Sequence, residues 1–119
     1  MNKKILVVDD DKDILEPLSL LLESEGYAVD TISKGKDVYS RIGSFKPDLL
    51  LLDVFMSGTD GREICRKLKR SNKNKNLIVI MMSAHPTVEK DSTNIGADDF
   101  IAKPFETVDL LRLIDEKLQ

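Results

Sequence analysis

The sequence predicts a doubly wound α/β domain, a five-stranded parallel sheet with helices on both faces. Short apolar runs alternate with amphipathic stretches five times along the chain, the pattern of repeated strand–helix units. The runs Ile5-Leu6-Val7-Val8 and Leu49-Leu50-Leu51-Leu52 are apolar at every position, as strands buried on both faces should be. Three of the runs also stop on residues with chemistry: Asp9-Asp10-Asp11, Asp53, and Lys103-Pro104.

Taken in order, strands are expected at Lys4–Val8, Ala28–Ile32, Asp48–Leu52, Leu77–Met81 and Asp99–Ala102. Helices are expected near Asp13–Glu25, Lys34–Ser44, Gly61–Ser71, Thr87–Ile95 and Thr107–Leu118. The second strand alternates apolar and polar residues and reads as an edge. The first helix gathers Ile14, Leu15, Leu18, Leu21 and Leu22 on one face. Pro17 interrupts that pattern by removing a backbone donor, so the helix starts late or bends mildly there. Gly26 and Gly96 stand where a helix would stop. Asp60-Gly61-Arg62-Glu63 reads as a capping box, Asp60 accepting an amide proton while Glu63 reaches back. The polar run 71–76 reads as a mobile surface turn. Lys103-Pro104 is a candidate cis bond.

Composition narrows the function. The 119 residues suit one domain spanning 1–119, with 41% hydrophobic and 33% charged residues, an ordinary globule rather than a disordered segment. A net charge of -3 with interspersed signs disfavours nucleic-acid binding by this chain. The longest apolar runs fall far short of a membrane span, and the start leaves no room for a signal peptide. The single cysteine, Cys65, falls on an apolar helical pattern and reads as a buried thiol suited to the cytoplasm. The chain stops just past the fifth expected helix, so no output domain is expected within it.

The strand ends carry the chemistry. In open α/β sheets ligands bind at the carboxyl edge. If the first and third strands are neighbours, Asp9, Asp10 and Asp53 form one cluster. Crowded carboxylates need a cation, and an all-oxygen set suits Mg2+. A strand-end aspartate can also be a nucleophile that forms an acyl phosphate. Lys103 would set its ammonium beside the transferred phosphoryl group and Ser83 would hydrogen-bond it; positioning and charge do most of the work in such transfers. Taken singly, an acidic strand end is more simply a solvated loop residue.

These motifs carry a family resemblance: Ile-Leu-Val-Val-Asp-Asp-Asp at 5–11, Pro-Asp-Leu-Leu-Leu-Leu-Asp at 47–53, Met-Ser-Gly-Thr-Asp-Gly at 56–61, Ser-Ala at 83–84, Gly-Ala-Asp-Asp-Phe at 96–100 and Lys-Pro-Phe at 103–105. Together and in this order, they resemble the response-regulator receiver domains of two-component signalling, over nearly the whole chain. The resemblance implies the flavodoxin-like strand order 2-1-3-4-5. It implies that Asp53 accepts a phosphoryl group from a sensor histidine kinase or histidine phosphotransfer protein. Asp10, Asp53 and the Phe55 carbonyl would ligate Mg2+, with Asp9 acting through water, and Lys103 would pair with the phosphoryl group. Ser83 and Phe100 would form a switch pair that repacks the face of the fourth helix, fifth strand and fifth helix, where a phosphorylation-dependent homodimer or a target would form.

Two positions depart from the usual pattern. Ser57 replaces proline, leaving the loop after Asp53 less rigid and adding a hydroxyl. Phe55 replaces a polar residue near the attacking water, which implies slow loss of the phosphoryl group. His85 lies at another position near that water, though a lone histidine before Pro86 is more often a residue at the start of a helix. Two other classes compete. One is an interaction domain of the same fold that needs no phosphorylation; retention of Asp9, Asp10, Asp53, Ser83 and Lys103 speaks against it. The other is an aspartyl-phosphate phosphohydrolase, for which no general acid or cap domain is visible.

Overall fold

The computed structural model describes residues 2–84 and 95–119. In chain order these form β1 (Lys4–Val8), α1 (Lys12–Ser24), β2 (Ala28–Ile32), a 3-10 turn (Gly35–Asp37), α2 (Val38–Phe45), β3 (Leu49–Asp53), β4 (Phe55–Met56), β5 (Thr59–Asp60), α3 (Gly61–Arg70), β6 (Ile78–Ser83), β7 (Asp99–Ala102) and a C-terminal helix (Thr107–Lys117). The main sheet is parallel with order β2-β1-β3-β6-β7. Counting its strands alone, that is the expected order 2-1-3-4-5, with the alternating strand β2 at an edge.

Side-chain alternation explains the two layers. Leu6, Val8, Leu50, Leu52, Val79 and Met81 face one core with Val38 and Ile42 of α2 and Ile64, Cys65 and Leu68 of α3. Their neighbours Ile5, Val7, Leu49, Leu51, Ile80 and Met82 face the other, against Leu15, Leu18 and Leu22 of α1 and Leu110 and Ile114 of the C-terminal helix. Every residue of the two central apolar runs is fully buried, each contributing about 1.5–3 kcal/mol of burial. A one-residue slip of β1 or β3 would exchange the two cores.

Several boundaries differ from expectation for local reasons. α1 begins at Lys12, with the Asp11 side chain accepting the Asp13 N–H at 3.0 Å, and it continues through Pro17. The helix expected from Lys34 opens as a 3-10 turn around Gly35 and becomes α-helical only at Val38; glycine is a poor helix former. Asp60 does accept an amide proton, from Arg62 at 2.9 Å. Glu63 does not reach back to complete the box, because it pairs with Arg66 one turn on. Gly26 and Gly96 have φ of 94° and 88°. The Lys103-Pro104 bond is cis. Cys65 is fully buried, and burial pushes its thiol up to about 11. The β4–β5 ribbon was not foreseen; two strands of two residues carry no periodicity. Of the expected helix at Thr87–Ile95, residues 87–94 lie outside the described residues, as does His85.

Candidate functional site

The sheet order brings distant residues to one edge. Val8 lies beside Leu52, so Asp9 leaves β1 next to Asp53 at the end of β3. Asp53 lies beside Met82, and Ser83 beside Ala102. The Lys103 N–H donates to the Ser83 carbonyl at 2.9 Å, which holds the lysine beside the end of β6. One oxygen from each of Asp9, Asp10 and Asp53 lies within 4.8 Å of the others. Lys103 Nζ stands 2.5 Å from Asp9 Oδ2 and 3.5 Å from Asp53 Oδ1.

Burial sets the electrostatics. Asp9 is 1% exposed and Asp53 is 7% exposed. Desolvation, the largest influence, with the charge of Asp9, pushes the Asp53 carboxyl up to about 6; Lys103 pulls against them. For Lys103, burial pulls the ammonium down, but its hydrogen bond to Asp9 and the charges of Asp53 and Asp9 outweigh it, so its pKa lies above the ordinary lysine value. The cluster is arranged for phosphoryl and metal binding, the chemistry that the sequence resemblance implies. Its donors are all oxygens, a set able to coordinate a hard divalent cation.

The segment after Asp53 is built to pass close to it. A Cβ on Gly61 would lie 2.3 Å from the Asp53 carbonyl oxygen, so no other residue fits without moving the end of β3. The Gly61 N–H donates to the Val54 carbonyl at 2.7 Å, and the Val54 N–H to the Met82 carbonyl at 3.0 Å. Between them the β4–β5 ribbon turns at Ser57-Gly58, with Gly58 at φ 73°. Phe55 is 44% exposed, and the Arg62 guanidinium lies 5.3 Å from its ring centre. Arg62 is itself held by both oxygens of Asp60, Phe55's cross-strand partner. Ser57, standing where the resembled pattern has proline, keeps a backbone N–H, and that N–H donates to Asp10 Oδ2 at 2.9 Å.

The site residues expected from sequence are thus placed as follows. Asp9, Asp10, Asp53, Lys103 and Ser83 share the carboxyl edge, with Ser83 buried. Phe55 and Ser57 belong to the ribbon over it. Phe100 lies on β7 beside Met81, its ring partly buried against the core shared with α2 and α3. Sequence reading missed Arg62 and the Ser57 amide. Arg62 carried no signal, but the absence of proline at 57 was itself a sign that a donor had been kept.

The response regulator receiver domain family matches residues 5–115. The phosphate regulon transcriptional regulatory protein PhoB of Rhizobium meliloti (strain 1021) is 36% identical over 121 residues, an alignment covering 100% of this chain and 53% of that protein. The chain thus spans about half the length of that curated relative. A CheY-like response regulator receiver domain protein from Methanospirillum hungatei JF-1 superposes with a TM-score of 0.91 at 33% identity, over 99% of this chain and 94% of that one. The signal receiver domain of a signal transduction histidine kinase from Syntrophus aciditrophicus gives a TM-score of 0.89 at 32% identity, over 98% of this chain and 89% of that one.

Proposed function

The chain belongs to the response regulator receiver domain family, and we propose that it is a phosphorylation-controlled signalling module whose acceptor is Asp53. The observation that carries the reading is the meeting of Asp53 with Asp9, Asp10 and Lys103 at one sheet edge. An Asp53 oxygen attacks the phosphorus of a phosphohistidine in a partner kinase or phosphotransfer protein. The P–N bond breaks, its electron pair returns to the imidazole, and an acyl phosphate remains on Asp53.

Asp10, Asp53 and the Phe55 carbonyl, with Asp9 through water, would hold Mg2+, which supplies charge neutralisation at the phosphoryl oxygens. Lys103 pairs with a phosphoryl oxygen on leaving Asp53, while its bond to Asp9 keeps the ammonium at the edge. Ser83 hydrogen-bonds a second oxygen, and Phe100 follows by turning into the space vacated, a shift between packings that already compete. The face so altered, which includes β7 and the C-terminal helix, is then the surface for a second copy or a target.

A cavity of about 550 Å³ lined by Ile14, Pro17, Leu18, Leu21, Pro104 and Phe105 opens beside Lys103. Its apolar walls suit a protein donor better than a free phosphate. We further propose that residues 1–119 form a single receiver unit and that the protein resides in the cytoplasm. Among the described residues no helix is long and apolar enough to cross a membrane.

Incubation with a small phosphodonor and Mg2+, followed by intact-mass measurement, tests the reading. One phosphoryl group on the wild type and none on Asp53→Asn is expected. Equal loading of both would overturn the assignment, and catalytic turnover of phosphomonoesters would favour a hydrolase.

A further inference from the structure

Ser57 sits at the tip of the β4–β5 ribbon, far along the chain from Asp10, yet its N–H reaches Asp10 Oδ2 at 2.9 Å. Asp10 is exposed. Three carboxylates with oxygens within 4.8 Å of one another repel, and the exposed member relieves that strain most easily by rotating into water. The Ser57 hydrogen bond opposes that rotation and leaves Oδ1 available to a cation.

We propose that the Ser57 backbone amide is a positioning group for the divalent-cation site, holding Asp10 in its ligating orientation before the ion arrives. The inference rests on the cation-binding reading above and adds a donor outside the ligand set. Hydrogen bonds that orient a ligating carboxylate are worth roughly 10–100-fold in metal affinity. Mg2+ demands near-ideal geometry, so it should feel the loss of such a bond strongly. The ribbon then serves the site twice, through the Phe55 carbonyl and, two residues on, through the Ser57 N–H.

The backbone allows a clean test. Met56 is extended, as a residue before proline prefers, and Gly58 carries the positive φ of the second turn position. Ser57 is therefore a position where proline is accepted, since the first central turn position favours it. Ser57→Pro removes the N–H, whereas Ser57→Ala keeps it and removes only the hydroxyl.

In calorimetric titrations with Mg2+, Ser57→Pro should bind about tenfold more weakly than wild type, and Ser57→Ala should match wild type. Affinity in Ser57→Pro equal to or above wild type would overturn the inference. So would an equal loss in Ser57→Ala, which would assign the effect to the hydroxyl. A wild type that binds no Mg2+ would remove the functional reading as well. A second measurement needs neither metal nor proline: the Ser57 amide should exchange with solvent several-fold faster in Asp10→Ala than in wild type. Unchanged exchange would refute the bond itself.

Discussion

At the scale of single residues, the balance between burial and charge at Asp53 makes stability depend on pH. Its carboxyl titrates near 6 in the fold against an ordinary 3.8. The unfolded chain therefore gives up this proton first, and the metal-free fold loses stability as pH rises from about 4 to about 6. Asp53→Asn has no such penalty. It should be more stable than metal-free wild type at pH 7 by about 1–2 kcal/mol, allowing for solvent at the open edge, with the difference vanishing near pH 4. Chemical denaturation at the two pH values checks this. With Asp53 as the proposed acceptor, Phe55 would prolong the life of the phosphoryl group, because its ring cannot orient water and Arg62 lies over it. Phe55→Asn should speed autodephosphorylation several-fold, measured as decay of the phosphoprotein; an unchanged rate would show that the ring is idle. The individual carboxylates and Lys103 were legible in the sequence because each ends an apolar run. Their pairing was not: nothing in a linear sequence says that Lys103 bonds Asp9 more closely than Asp53.

At the scale of elements, the β3–α3 connection links the strand that ends on Asp53 to a helix. Gly61 is both the first residue of α3 and the point where the backbone passes under the Asp53 carbonyl. Gly61→Ala should force β3 and α3 apart, lowering stability by about 1–3 kcal/mol and weakening Mg2+ binding as well, whereas a purely local helix effect would raise stability. Thermal denaturation with and without Mg2+ distinguishes the two. Long elements were legible because apolar spacing repeats over several turns, as in α1. The 3-10 turn and the β4–β5 ribbon were not, being set by Gly35 packing on Thr59 and by a hairpin two residues long. The capping box was half right, since a nearby arginine competed successfully for Glu63.

For the whole molecule, the sheet is what turns scattered residues into a site. β1 and β3 were readable as central because their runs 5–8 and 49–52 are apolar at every position, and β2 as an edge because it alternates. Strand order came instead from the family resemblance, since apolar content alone does not say which strand lies beside which. Once β1 pairs with β3, β3 with β6 and β6 with β7, Asp9, Asp10, Asp53, Ser83 and Lys103 come to the same carboxyl edge. The same architecture gives each helix layer its own core, one on either side of the strands. The most direct test of the central claim is to trap the acyl phosphate by borohydride reduction after phosphotransfer and map the peptide. Homoserine at position 53, and there alone, is the expected product; homoserine at position 9 or 10, or a phosphoryl group found on a hydroxyl or imidazole instead, would contradict it.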